Sequence, residues 1–220
     1  MSTKITDVSI PNDNLECLKY LNKNGNLECL KYAAQNGKLE WLKYLNENCW
    51  PWSEVTSCYV AEYGHLECLK YLHENGCPWN TLSCQSASKS GHLECLKYLH
   101  ENGCPWGTLT FQITTCNVAA WGGHLECLKY LHENGCSWDR NTCDYASRNG
   151  HLECLKYAHE NGCPWEEWVC FFAVVYGHLE CLKYAHENGC PWEKDICRCA
   201  LEYGNIECLQ YCRDMGVLNK

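Results

Sequence analysis

The chain has 220 residues, 46% hydrophobic and 20% charged, a balance that belongs to ordered rather than disordered proteins. Its formal charge of −9 opposes phosphate backbones and anionic lipid, and its longest apolar run, Trp168 to Tyr176, is nine residues against the roughly 18 that cross a bilayer. Neither a nucleic-acid nor a membrane partner is expected, and the start MSTKITDVSIPNDN lacks the apolar core of a secretion signal, which points to the cytoplasm.

Residues 1–13 show no periodicity and read as an N-terminal extension. From Asn14 onward one block recurs: NLECLKY at Asn14 and Asn26, GKLEWLKY at Gly37, GHLECLKY at Gly64, Gly91, Gly123, Gly150 and Gly177, and GNIECLQY at Gly204. From Gly37 on the spacing is 27 residues, except for 32 between Gly91 and Gly123, which places a five-residue insertion just after Trp106. The first copy, 14–25, reads as a capping helix over Leu15 to Asn24. A single repeat solenoid is expected over 14–216, followed by a C-terminal tail at 217–220.

Inside each block Leu66, Cys68, Leu69 and Leu72 fall on one helical stripe, with Glu67, Lys70 and Glu74 opposite. This is helix B, closed by a glycine such as Gly76 that tolerates the left-handed conformation. The remainder of the unit reads Gly-Cys-Pro-Trp and then a more variable helix A, such as Asp139 to Asn149, with Cys143 and Ala146 on one face. Proline after helix B cannot extend it, and Asn80, Asp139, Glu166 and Glu193 place a capping or acidic group at the start of helix A. A hairpin of this kind cannot bury its own apolar face, so its neighbours must stack. The fold expected is all-α: a solenoid of about seven A/B helical hairpins.

Helix A followed by GHLECLKYLHENGCPW resembles the ankyrin repeat, with Ala87, Ala119, Ala146, Ala173 and Ala200 at the first alanine of its TPLHxAA helix and the Gly-His pairs matching directly. The family period is about 33 residues, so at 27 the projecting β-hairpin fingers are expected to be missing. The chain is similar to the short, Cys-Pro-Trp-rich ankyrin arrays of protists and their large DNA viruses, which would make the compartment the host cytoplasm if it is viral.

The 22 cysteines fall largely in three columns, in helix B (Cys68 and its equivalents), the connection (Cys77) and helix A (Cys84), all at core positions of the family. Reduced, buried thiols are expected. Disulfides within a column are excluded because equivalent atoms lie about 10 Å apart, whereas bridges between columns stay open. Zinc is not expected, since no paired Cys-x-x-Cys spacing occurs; Cys208 with Cys212 and Cys197 with Cys199 are the least unsuitable donors. No catalytic residue, metal or cofactor is expected, because catalysis needs one singular constellation and here the same Cys and His recur in unit after unit. The histidines after glycine, such as His92, read as polar or capping residues at the start of helix B, and the ladder Trp52, Trp79, Trp106, Trp138, Trp165 and Trp192 as packing between repeats.

Helix B is nearly invariant from copy to copy while helix A varies, which directs attention to the exposed end of helix A. The resemblance implies a partner-binding groove there, on Glu62, Tyr63, Lys89, Ser90, Trp121, Arg148, Asn149, Val175, Tyr176, Glu202 and Tyr203. The expected function is that of a non-enzymatic scaffold binding a protein partner. The chain ends a few residues past its last helix, so an appended effector is not expected. Self-association of the rods into an oligomer or filament is the alternative.

Overall fold

The computed structural model describes residues 27–107, 113–192 and 195–215. They form fourteen helices and no strand: α1 (Leu27–Gln35), α2 (Leu39–Glu47), α3 (Glu54–Glu62), α4 (Leu66–Glu74), α5 (Thr81–Ser90), α6 (Leu93–Glu101), α7 (Thr115–Gly122), α8 (Leu125–Glu133), α9 (Arg140–Arg148), α10 (Leu152–Glu160), α11 (Glu167–Tyr176), α12 (Leu179–Glu187), α13 (Ile196–Glu202) and α14 (Ile206–Asp214). Odd-numbered helices are type A and even-numbered ones type B, giving seven hairpins without β-fingers. The N-terminal extension, the Leu15 to Asn24 helix, most of the insertion after Trp106, Glu193 and the tail at 217–220 lie outside the described residues.

Helix B forms because its sequence supplies one buried stripe and one solvated one. In α4 the stripe is Cys68, Leu69 and Leu72, and the solvated face holds a Lys70–Glu67 ion pair of 2.8 Å that recurs in five other B helices. Such exposed pairs contribute only about 0.3–0.5 kcal/mol each, so packing rather than charge holds the helix. The C-terminus closes in a Schellman turn: Cys77 N–H donates to Leu72 O at 2.9 Å, Gly76 N–H to His73 O at 3.0 Å, and Gly76 sits at φ +77°.

Helix A owes its position to small residues. Ala33, Val60, Ala87, Ala119, Ala146, Ala173 and Ala200 occupy one column and are fully buried. Successive A helices therefore pack on each other more extensively than successive B helices. The segment LECLKYAAQ at α1 carries the B-type motif yet packs as helix A against α3, because Ala33 and Ala34 provide the small face that this place requires. On either side of the insertion, α5 and α7 pack directly on each other.

The histidines after glycine do not cap their own B helices. At α4, α6, α8, α10 and α12 the residue before the helix makes no side-chain cap. His65 Nε2–H instead donates to Gln35 O at 2.9 Å, His151 to Trp121 O at 3.0 Å and His178 to Arg148 O at 3.1 Å, each satisfying a carbonyl at the end of the preceding unit's helix A. In the last unit Asn205 takes this role, donating to Val174 O and Val175 O.

A second histidine column ties the outer layer. His73 stacks on Trp79 at 3.9 Å and is hydrogen-bonded to Tyr98 of the next unit at 3.0 Å, and the same His-Trp-Tyr cluster follows at His100, His132, His159 and His186. The tryptophans thus do pack between repeats, but Trp165 and Leu152 are half-buried rather than enclosed, because this layer faces water on one side.

Candidate functional site

The three cysteine columns are buried thiols, and no disulfide joins the described cysteines. Burial pushes Cys68 and Cys95 up to about 11, and Cys77, Cys127, Cys154 and Cys181 up to about 12. Cys84, Cys116, Cys143 and Cys170 are raised by hydrogen bonds to the connection thiols Cys104, Cys136, Cys163 and Cys190, with burial adding to the shift. Thiols held protonated in this way are poor nucleophiles and poor metal ligands. Among the described residues no three His, Cys, Asp or Glu side chains converge to hold a metal ion.

The A-helix face is built differently. Its buried stripe is partly polar: Ser57 and Ser83 meet at 3.1 Å, Ser147 Oγ–H donates to Val169 O at 2.6 Å, and buried Asn117 accepts from Thr142 at 2.6 Å while donating to Asp139 at 3.1 Å. Asp139 and Asn80 also cap their helices, whereas Glu166 makes no side-chain cap and pairs instead with Arg140 at 2.7 Å. With hydroxyls and small side chains inside, the A helices leave their larger side chains outward.

Between α5, α7, α9 and α11 those side chains enclose a groove of about 690 Å³. Lys89 Nζ lies 4.6 Å from the centre of the Trp121 ring, and Arg148 lies 5.1 Å from Tyr176 and 5.8 Å from Phe172. Trp121 Nε1–H donates to Asn149 Oδ1 at 3.2 Å and its ring stands 6.4 Å from Tyr145. Gly122 makes this approach possible: a Cβ there would lie 2.3 Å from Lys89 O, so no side chain fits between the ends of α5 and α7.

Five residues expected at a binding face, Lys89, Trp121, Arg148, Asn149 and Tyr176, come together in this groove. Glu62, Tyr63, Ser90, Val175, Glu202 and Tyr203 do not line it. Tyr63 accepts a hydrogen bond from Gln35 at its hydroxyl and Glu202 pairs with Arg198 at 2.8 Å. Sequence reasoning missed the floor, formed by Leu82, Gln85, Ile113, Val118 and Tyr145. All but Ile113 were within reach, since Leu82 and Gln85 lie seven and four residues before Lys89, and Val118 and Tyr145 three before Trp121 and Arg148, on the same helix faces.

The ankyrin repeat family model matches residues 57–142 and 83–166, together half of the chain. The chain belongs to the ankyrin repeat family. The ankyrin repeat domain of human ASB11 superposes with a TM-score of 0.62 at 24% identity, covering 73% of this chain and 83% of that one, a likeness of fold. A comparison with curated proteins finds no match. Ankyrin repeats generally mediate protein–protein interaction, and no described helix of this array is long and apolar enough to cross a membrane.

Proposed function

We propose that this ankyrin array is a non-enzymatic, cytoplasmic scaffold that holds a protein partner on its A-helix face. The observation that carries this reading is the asymmetry of the two faces. The B helices present the same Glu-Lys pair six times, whereas the A helices place exposed Trp121 and Tyr176 around a groove. Aromatic anchors flanked by cations are the composition of interface hot spots. The paired substitution Trp121→Ala with Tyr176→Ala should weaken partner binding by about 2 kcal/mol or more while leaving the helical signal unchanged. Partner binding unaffected by that pair would place the interface elsewhere.

A second reading rests on the last hairpin. Leu201 and Ile206 are 59% and 66% exposed, although their counterpart Val174 is fully covered by the next unit and Leu179 is half-covered. Exposed apolar side chains on this hairpin are the kind that stack on another copy. Size measurement across a concentration series, with and without reductant, separates a monomeric rod from an end-to-end assembly.

A further inference from the structure

Among the described residues, the lysines of α2, α4, α6, α8, α10 and α12 are all bound to glutamates, as are Arg140 and Arg198. Lys89 and Arg148 differ. Both are exposed, each stands over an aromatic ring, and neither has a carboxylate within ion-pair distance among the described residues. They line the same groove, and no aspartate or glutamate joins them there, in a chain whose formal charge is −9. The groove is thus a cationic island on an acidic protein. Its rings are also already covered by the chain's own cations, so a basic or quaternary-ammonium ligand would meet like charge rather than open π faces.

We propose that the groove takes an extended acidic peptide segment of a partner protein. This rests on the binding-face reading above and specifies its ligand. Lys89 and Arg148 end α5 and α9, with α7 between them, so they are separated by two inter-helix steps of about 10 Å each. An extended chain advances about 3.3 Å per residue, which matches roughly three residues to each repeat. The segment therefore presents two carboxylates about six residues apart, one to Lys89 and one to Arg148, with an aliphatic side chain between them over Val118 and Trp121. Single-stranded nucleic acid also combines negative charge with ring stacking, but two cations make too short a track for a backbone that carries a charge on every nucleotide.

The test is selection of a random 12-residue peptide phage library on the immobilised full chain, with the recovered peptides synthesised and their affinities measured. Enrichment of peptides carrying two Asp or Glu about six residues apart around an aliphatic residue is expected. Lys89→Gln with Arg148→Gln should weaken them at least tenfold, and Lys89→Glu with Arg148→Glu should select basic peptides instead. Peptides without acidic bias that are lost on Trp121→Ala with Tyr176→Ala would overturn the acidic specificity and leave the groove reading standing. Peptides indifferent to all three variant pairs would overturn both. Displacement of the peptides by an equimolar single-stranded oligonucleotide, or a selection that enriches nothing, would also overturn the proposal.

Discussion

The imidazole of His151 lies over Gly123 of the preceding unit: a Cβ built at Gly123 would stand 2.4 Å from His151 Nδ1, while His151 Nε2–H donates to Trp121 O at 3.0 Å. The glycine is thus required twice, for its φ of +76° and for the ring above it. Gly135 has nearly the same conformation, φ +83°, and nothing near its missing Cβ. Gly135→Ala should cost about 1–2 kcal/mol in urea unfolding for the left-handed backbone alone, and Gly123→Ala clearly more. In a His151→Ala background the two alanine substitutions should cost the same; a persisting difference would mean that the ring is not what the glycine accommodates.

Cys49 is the inverse case. It stands one period before Gly76 and adopts φ +59°, the one described non-glycine residue at positive φ. Cys49→Gly should stabilise the chain by about 1 kcal/mol, provided the relief of strain exceeds the added freedom of the unfolded chain. A lower urea midpoint for the variant would refute the strain.

Asp144 is 8% exposed, its Oδ1 finds no hydrogen-bond partner, and burial pushes its pKa up to about 7, with Arg140 opposing the shift and Glu166, Asp139 and Glu167 adding to it. The fold thus favours the neutral acid. That contribution is complete below about pH 4, where the unfolded chain is protonated too, and is lost as pH rises through 7. Asp144→Asn should match the wild type near pH 4 and exceed it by about 1 kcal/mol above pH 8 in thermal unfolding; a gap independent of pH would remove the carboxyl as its cause.

The histidines act with the opposite sign. The ten of them could, on composition alone, cancel the charge of −9 below about pH 6 and lower solubility. Burial, however, lowers the pKa of His92, His100, His151 and His159, so the fold favours their neutral form. Stability from these rings is present above about pH 6.5 and is lost as pH falls through their lowered values. In an Asp144→Asn background the melting temperature should hold between pH 8 and 7 and fall below 6.5; a flat profile to pH 5 would show the rings to be uncoupled from folding.

Thiol reactivity should follow burial. Among the described cysteines, iodoacetamide at pH 8 should label exposed Cys49 first and half-buried Cys58 and Cys199 more slowly, leaving the three columns untouched until denaturant is added. Rapid labelling of Cys127 or Cys154 would contradict their enclosure.

The architecture was legible because it is periodic: the Ala87 column, the paired glycines and the stripe Cys68, Leu69 and Leu72 each repeat at 27 residues, and each is a local requirement of a helix or its end. What escaped lies between units. His151 sits beside Leu152 in sequence and so reads as a cap of α10, but its partner Trp121 is 30 residues back. Ile113 of the groove lies within the irregular stretch after the insertion, where no helical spacing points to it.

The carbonyl-to-histidine links of His65, His151 and His178 each join a hairpin only to its neighbour, and the principal helix contacts among the described residues likewise run between successive units. Pulled by its ends, the array should come apart one hairpin at a time. Each release frees 27 residues, roughly 90 Å of extended chain. The unit carrying the insertion frees 32, roughly 110 Å, and that one longer step in the force trace marks which half of the array has already yielded.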